Sequence, residues 1–177
     1  MQKLPTNKQH AFTLLELLIV MVILALLAGL GLMAFGTIQM KSRDSRRKQD
    51  LANISKVLET YYNDYGEYPA SADGQIAGCG IGGAENCSWG SAWTDDRGTL
   101  YMSALPQDPA GNQNYFYHRV DDNSYYLFAR LENELDNDAA KNGSNPSYYA
   151  GYFCDGGSLG CNYVIMSTNL SAKPAIY

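Results

Sequence analysis

Glu16 is the only ionisable residue among the thirty positions from Ala11 to Met40, which read AFTLLELLIVMVILALLAGLGLMAFGTIQM. A carboxylate among apolar side chains is costly, on the order of a few kcal/mol near a bilayer centre and less toward its interface. A compensating positive charge is therefore expected to meet it. The other chemistry-bearing residues are few. Cys79, Cys87, Cys154 and Cys161 supply thiols, while the segment Glu132 to Asp138 and the turn Asp121 to Asn123 supply oxygen ligands. The two histidines are His10, near the N-terminus, and His118, in a predicted strand. A Ser-His-Asp or Cys-His arrangement would depend on His118 alone, and neither a Walker loop nor HExxH occurs. The chain is read as structural or binding, not enzymatic.

The element that must position Glu16 is a long helix. Leu17 to Gly36 offers twenty residues without a charge or a hydrogen-bonding side chain, and at about 1.5 Å per residue such a run spans a hydrocarbon core of roughly 30 Å. A secretory signal peptide would have a shorter apolar core and a small-x-small cleavage site, imitated here only by Gly29-Leu30-Gly31. A plain signal anchor, with Glu16 snorkelling to the head groups, is the other reading. Beyond Met40 the apolar positions Leu51, Ile54, Val57, Leu58, Tyr61 and Tyr65 recur at helical spacing. Gly66 and then Pro69 supply a stop. One helix is expected over residues 12–66, membrane-spanning over about 14–38 and amphipathic over about 41–65.

Charge is distributed unevenly. Residues 41–50 carry Lys41, Arg43, Arg46, Arg47 and Lys48 against Asp44 and Asp50, whereas from Leu51 onward there are six basic and fifteen acidic residues. The chain thus has a basic collar, read as lying among neighbouring stems, and an acidic head. The acidic head repels phosphate backbones, so no direct nucleic-acid binding is expected. The fourteen tyrosines fall mostly at sheet or helix-stripe positions, where packing accounts for them.

Phe12-Thr13-Leu14-Leu15-Glu16, preceded by a short basic segment ending in a small residue, resembles the processing site of type IV pilins and their pseudopilin relatives. The resemblance implies that a prepilin peptidase removes the leader, residues 1–11, on the cytoplasmic side and methylates the new amino terminus at Phe12. Ala11 stands where the family usually has Gly. The resemblance also implies an assembly role for Glu16, the fifth mature residue, which would neutralise the free amine of Phe12 in a neighbouring subunit. The family often carries a mid-span proline where the helix loosens in the filament. This chain has Met33 there, and Gly29, Gly31 and Gly36 are assigned that role instead. The implied partners are further copies of the chain in a helical homopolymer, the prepilin peptidase, an inner-membrane assembly platform and a cytoplasmic assembly ATPase. The precursor would sit in the cytoplasmic membrane with its head outside the cytoplasm, and later in an extracellular or periplasmic filament. Two basic residues before the span against five after it would by charge alone place the head inside; the cysteines and the need to cut the leader in the cytoplasm argue for the opposite.

With the head outside the cytoplasm, four cysteines point to two disulfides. Three connectivities are open. The local pairs Cys79 with Cys87 and Cys154 with Cys161 are chosen because each closes a short Gly-containing loop, and their spacings do not fit a zinc knuckle. Residues 67–177 form the head. Residues 70–97 read as an irregular loop, and Leu105-Pro106-Gln107-Asp108-Pro109-Ala110-Gly111-Asn112 as dense turn chemistry. Tyr115 to Val120 and Tyr125 to Leu131 around a polar turn predict a hairpin, and Tyr148 to Ser167 a further hairpin-like unit with DGGSLG at its tip. The LPxDPxGN segment with its Tyr-rich strand resembles the head of the major pseudopilin of type II secretion. In some major pseudopilins this region of the head binds calcium. Here neither acidic segment follows the EF-hand spacing, so solvated loops are expected and no cofactor is required.

The expected fold is α+β, a long N-terminal helix on a small antiparallel sheet, the pilin fold. The expected function is that of a subunit of a type IV pilus-like surface filament supporting adhesion, motility or DNA uptake. The alternatives are the major pseudopilin of a type II secretion system and a monomeric membrane-anchored binding protein.

Overall fold

The computed structural model describes residues 12–177, apart from the side chains of residues 30–34. The leader, Ala11 included, lies outside the described residues. The chain divides into two compact units after Gln39.

A single α-helix, α1 (Leu14–Tyr65), is the first element. Its start is fixed by Thr13-Leu14-Leu15-Glu16, a capping box in which the residue before the helix and the third helical residue exchange hydrogen bonds. In the first unit every described side chain from Phe12 to Gln39 is exposed. Among the described residues no helix is long and apolar enough to cross a membrane; residues 30–34, whose side chains are not described, fall inside the uncharged run.

In the second unit α1 buries one stripe. Leu51, Ile54 and Leu58 are fully buried, with Val57, Tyr61 and Tyr62 beside them. The helix ends where expected. Gly66 adopts φ 75° and donates its N–H to Tyr62 O at 2.8 Å, a left-handed stop that a side chain would oppose.

Ten short strands follow. They are β1 (Ser71–Ala72), β2 (Gln75–Cys79), β3 (Glu85–Cys87), β4 (Trp93–Thr94), β5 (Leu100–Met102), β6 (Phe116–Asp121), β7 (Ser124–Ala129), β8 (Lys141–Asn142), β9 (Asn145–Pro146) and β10 (Tyr163–Met166). The central sheet is antiparallel in the order β10-β7-β6. Its β6–β7 hairpin turns on Asp122-Asn123, with Asp121 paired to Ser124, inside the predicted four-residue turn. Strand β7 is covered on both faces. Tyr125, Leu127 and Ala129 join the cluster on α1, while Tyr126 and Phe128 pack with Tyr149, Tyr152 and the Cys154–Cys161 pair. Successive residues point to opposite faces, which explains why this strand reads as unbroken apolar sequence.

One expectation is corrected. Residues 70–97 are not an irregular loop, since β1, β2 and β3 form an antiparallel sheet and β4 pairs with β5. Strands of two to five residues rich in Gly, Ser and Ala carry little β signal. Tyr148 to Ser167 is the expected hairpin-like unit, with Phe153 bridged antiparallel to Gly160 and the Cys161 N–H donating to Tyr152 O at 3.0 Å. Its only regular strand is β10, which pairs with β7, and within the DGGSLG tip the Asp155 carboxylate accepts the N–H groups of Gly157, Ser158 and Leu159. Those bonds close the tip between the two bridged arms.

Candidate functional site

At the entrance of α1, Glu16 is already engaged within its own chain. Its Oε2 accepts the Thr13 backbone N–H at 3.0 Å and the Thr13 hydroxyl at 3.1 Å, and the Glu16 N–H donates to Thr13 Oγ1 at 3.2 Å. The motif satisfies donors that a helix start otherwise leaves open. Glu16 Oε1 accepts no hydrogen bond among the described residues, so the carboxylate keeps one free oxygen for a cation. The spacing S/T-x-x-E, here Thr13 to Glu16, is itself a sequence signature of such a start.

The other expected residues are placed as follows. Phe12 is exposed beside Thr13. α1 is continuous through residues 29–36, and nothing lies within 4 Å of a Cβ built on Gly29 or Gly36; Gly31 is helical, with its surroundings outside the description. The cysteines pair as Cys79–Cys87 and Cys154–Cys161, with Cα atoms 5.2 and 5.3 Å apart, and all four are buried. His118 lies on β6 with its ring 5.6 Å from that of Tyr152.

The collar does something the sequence reading missed. Arg47 is fully buried. Its Nε and Nη2 donate to the two carboxylate oxygens of Asp108 at 2.7 and 2.8 Å, and its Nη1 donates to Asp44 at 2.7 Å and to Glu132 at 2.8 Å. Asp44, also buried, accepts the N–H groups of Glu132 and Asn133, both at 2.9 Å. Arg43 forms a two-bond fork with Glu132, donating from Nε at 2.7 Å and from Nη2. The Arg43 hydrogen bonds, with those of Arg47, pull the Glu132 carboxyl down to about 2 against the opposing effect of burial. Such a guanidinium, held by a planar fork, has its charge met within the head instead of among neighbouring stems. A signal was present. Asp44, Arg47, Leu51 and Ile54 follow helical spacing, so both charged residues lie on the buried stripe.

Lys48 completes the collar. Its Nζ donates to Asp136 Oδ1 at 2.7 Å and to Asp138 Oδ2 at 2.6 Å. The acidic segment therefore does not fit a calcium ion as it stands, because its carboxylates are held by arginine and lysine. Among the described residues no group of three or more His, Cys, Asp or Glu side chains is placed to hold a metal ion.

Comparison with known proteins agrees with this anatomy. Residues 6–32 match the family model described as the prokaryotic N-terminal methylation motif, and residues 36–145 match that described as type II secretion system (T2SS), protein G. The second match covers more than half of the chain. The chain belongs to the protein G family of type II secretion systems. The type II secretion system core protein G of Aeromonas hydrophila is 31% identical over 108 residues, 60% of this chain and 71% of that protein. No solved structure matches. The methylation motif takes in Ala11, Phe12 and Glu16, and the protein G match takes in Arg47, Asp108 and Glu132. The Cys154–Cys161 loop and β10 lie beyond the protein G match. The chain is thus a type IV pilin-like pseudopilin-family subunit.

Proposed function

We propose that this protein is a structural, non-catalytic subunit that polymerises through its stem into a pseudopilus-type filament of the kind the protein G family implies. The observation that carries this is the stem itself. From Phe12 to Gln39 every described side chain is exposed, nearly all are apolar, and the one charge is Glu16. An apolar helical surface of that length needs a bilayer or other copies of the same helix around it.

Assembly follows from the charges. The prepilin peptidase removes residues 1–11 and methylates Phe12, leaving a cationic amine at the start of the stem. In a nearly water-free helical core that amine pairs with Glu16 of a neighbour, through the oxygen the capping box leaves free. A close pair at low dielectric is worth far more than in water, and an unpaired carboxylate carries the desolvation cost, so the pairing selects one axial register. Gly29, Gly31 and Gly36 are where the stem loosens as it packs. The precursor is held in the cytoplasmic membrane with residues 67–177 outside the cytoplasm, which the two disulfides support. The assembly platform and its cytoplasmic ATPase extract it.

A second reading, a surface pilus used for adhesion, motility or DNA uptake, is favoured by the two disulfides, which suit a fibre exposed to the medium. Sheared cell-surface material and the membrane fraction, each analysed by mass spectrometry, test the proposal. Fibres containing this chain beginning at N-methyl-Phe12 are expected. A monomer confined to the membrane, or a mature protein retaining Met1 to Ala11, would overturn it.

A further inference from the structure

We propose that Lys48 is the built-in cation of the acidic segment Glu132 to Asp138, making the head independent of calcium, and that removing its charge uncovers a calcium site. This inference does not rest on the filament reading.

Each of the segment's four carboxylates has a basic partner. Glu132 is held by Arg43 and Arg47, Glu134 faces Arg130 at 3.9 Å, and Asp136 and Asp138 share Lys48. A further lysine, Lys141, donates to the backbone carbonyl of Leu135 at 3.3 Å. A divalent ion would have to displace at least one of these groups.

The position of Lys48 Nζ identifies which one. It sits 2.7 and 2.6 Å from carboxylate oxygens of two different residues, close to the 2.3–2.6 Å that calcium takes from oxygen ligands. Asn133 and Asn137 line the same open groove, of about 490 Å³, and bring side-chain amide oxygens, whereas both oxygens of Asp44 are already bonded. The ammonium is also 5.8 Å from the centre of the Tyr163 ring, a cation over an aromatic face. Burial pulls the Lys48 ammonium toward the neutral form, but the hydrogen bonds to Asp136 and Asp138 outweigh it and leave its pKa raised. The charge is therefore present at any pH at which the protein works.

The test uses the full chain in detergent micelles. Thermal unfolding is followed in calcium and in EGTA, and terbium is added as a luminescent stand-in for calcium. Tyr163 lies close enough to sensitise a terbium ion at the Lys48 position. The wild type should unfold at the same temperature in both media and give no tyrosine-sensitised terbium emission. Lys48→Met should unfold several degrees lower in EGTA, recover most of that loss in calcium, and gain terbium emission that calcium abolishes. Lys48→Arg, which keeps the charge, should behave as the wild type does. A wild-type midpoint that rises with calcium would overturn the proposal. So would a Lys48→Met protein, folded or not, on which calcium and terbium have no effect.

Discussion

Glu16 and Arg47 lie on the same helix, one alone in an apolar run and the other inside a run of charges, and their charges are met in opposite ways. Glu16 is satisfied within one turn, by the residue three positions before it. Arg47 reaches acids 61 and 85 positions along the chain and has no exposed surface. A charge met locally through one oxygen can take a new partner without unfolding anything. A charge met by three carboxylates in a closed site is part of the fold. The comparison separates a residue available for association from one fixed in structure, and it is the isolated charge, not the one within the charged run, that stays available.

The largest effect should come from breaking the fixed charge. Arg47→Ala leaves Asp44, Asp108 and Glu132 facing one another in a closed site, and removing one partner of a buried ion pair costs about 3–5 kcal/mol. Denaturant unfolding of the full chain in micelles should register that loss, whereas Glu16→Ala should leave the unfolding of residues 40–177 unchanged. Equal losses from the two variants would dissolve the distinction.

Acid tests the same site without mutation. The folded-state pKa of Glu132 is lowered from 4.5 to about 2, so it contributes stability that is fully present above its unfolded value and is lost as pH falls from about 4.5 through about 2. The loss should be on the order of 2–3 kcal/mol for a carboxylate this well covered. Unfolding midpoints measured across that window should show it, and Glu132→Gln should flatten most of the slope. A slope unchanged in that variant would place the acid sensitivity elsewhere.

Disulfide removal is next in size. Replacing Cys154 and Cys161 by Ser opens a loop with a sequence separation of 7, and loop-closure entropy assigns so short a loop about 2 kcal/mol. The head should still fold, with a lowered denaturant midpoint. The smallest effect belongs to the locally met charge. Thr13→Ala removes the capping box, worth about 1 kcal/mol at a helix start, and should speed amide exchange at Glu16, whose N–H donates to Thr13 Oγ1, while Thr13→Ser does not. No change in exchange would mean that the box contributes nothing to the helix start.

Periodicity made the helix legible. Leu51, Ile54, Leu58 and Tyr61 announce a buried stripe, and Gly66 with Pro69 announces its end. The β6–β7 hairpin was legible because aromatic and β-branched residues flank a polar turn, and both cysteine pairs because each closes a short loop. The β1–β3 sheet was not, since its strands are only two to five residues long and carry a single large aliphatic side chain, Ile76, and the Cys79–Cys87 bond ties β2 to β3. The Arg47 site was hidden for a different reason. Hydropathy treats a run of charges as solvated, and Asp108, inside a Pro-rich turn, reads as turn chemistry until the fold delivers it to Arg47. At the stem the residue types sufficed to single out Glu16, but not to show that Thr13 already holds it.

Glu16→Ala, with leader removal and sheared fibres monitored in the same cells, tests the central claim most directly. The account predicts a processed, membrane-held protein that yields no filaments, because the neighbour's amine at Phe12 finds no carboxylate. Filaments at the wild-type yield from that variant would contradict it.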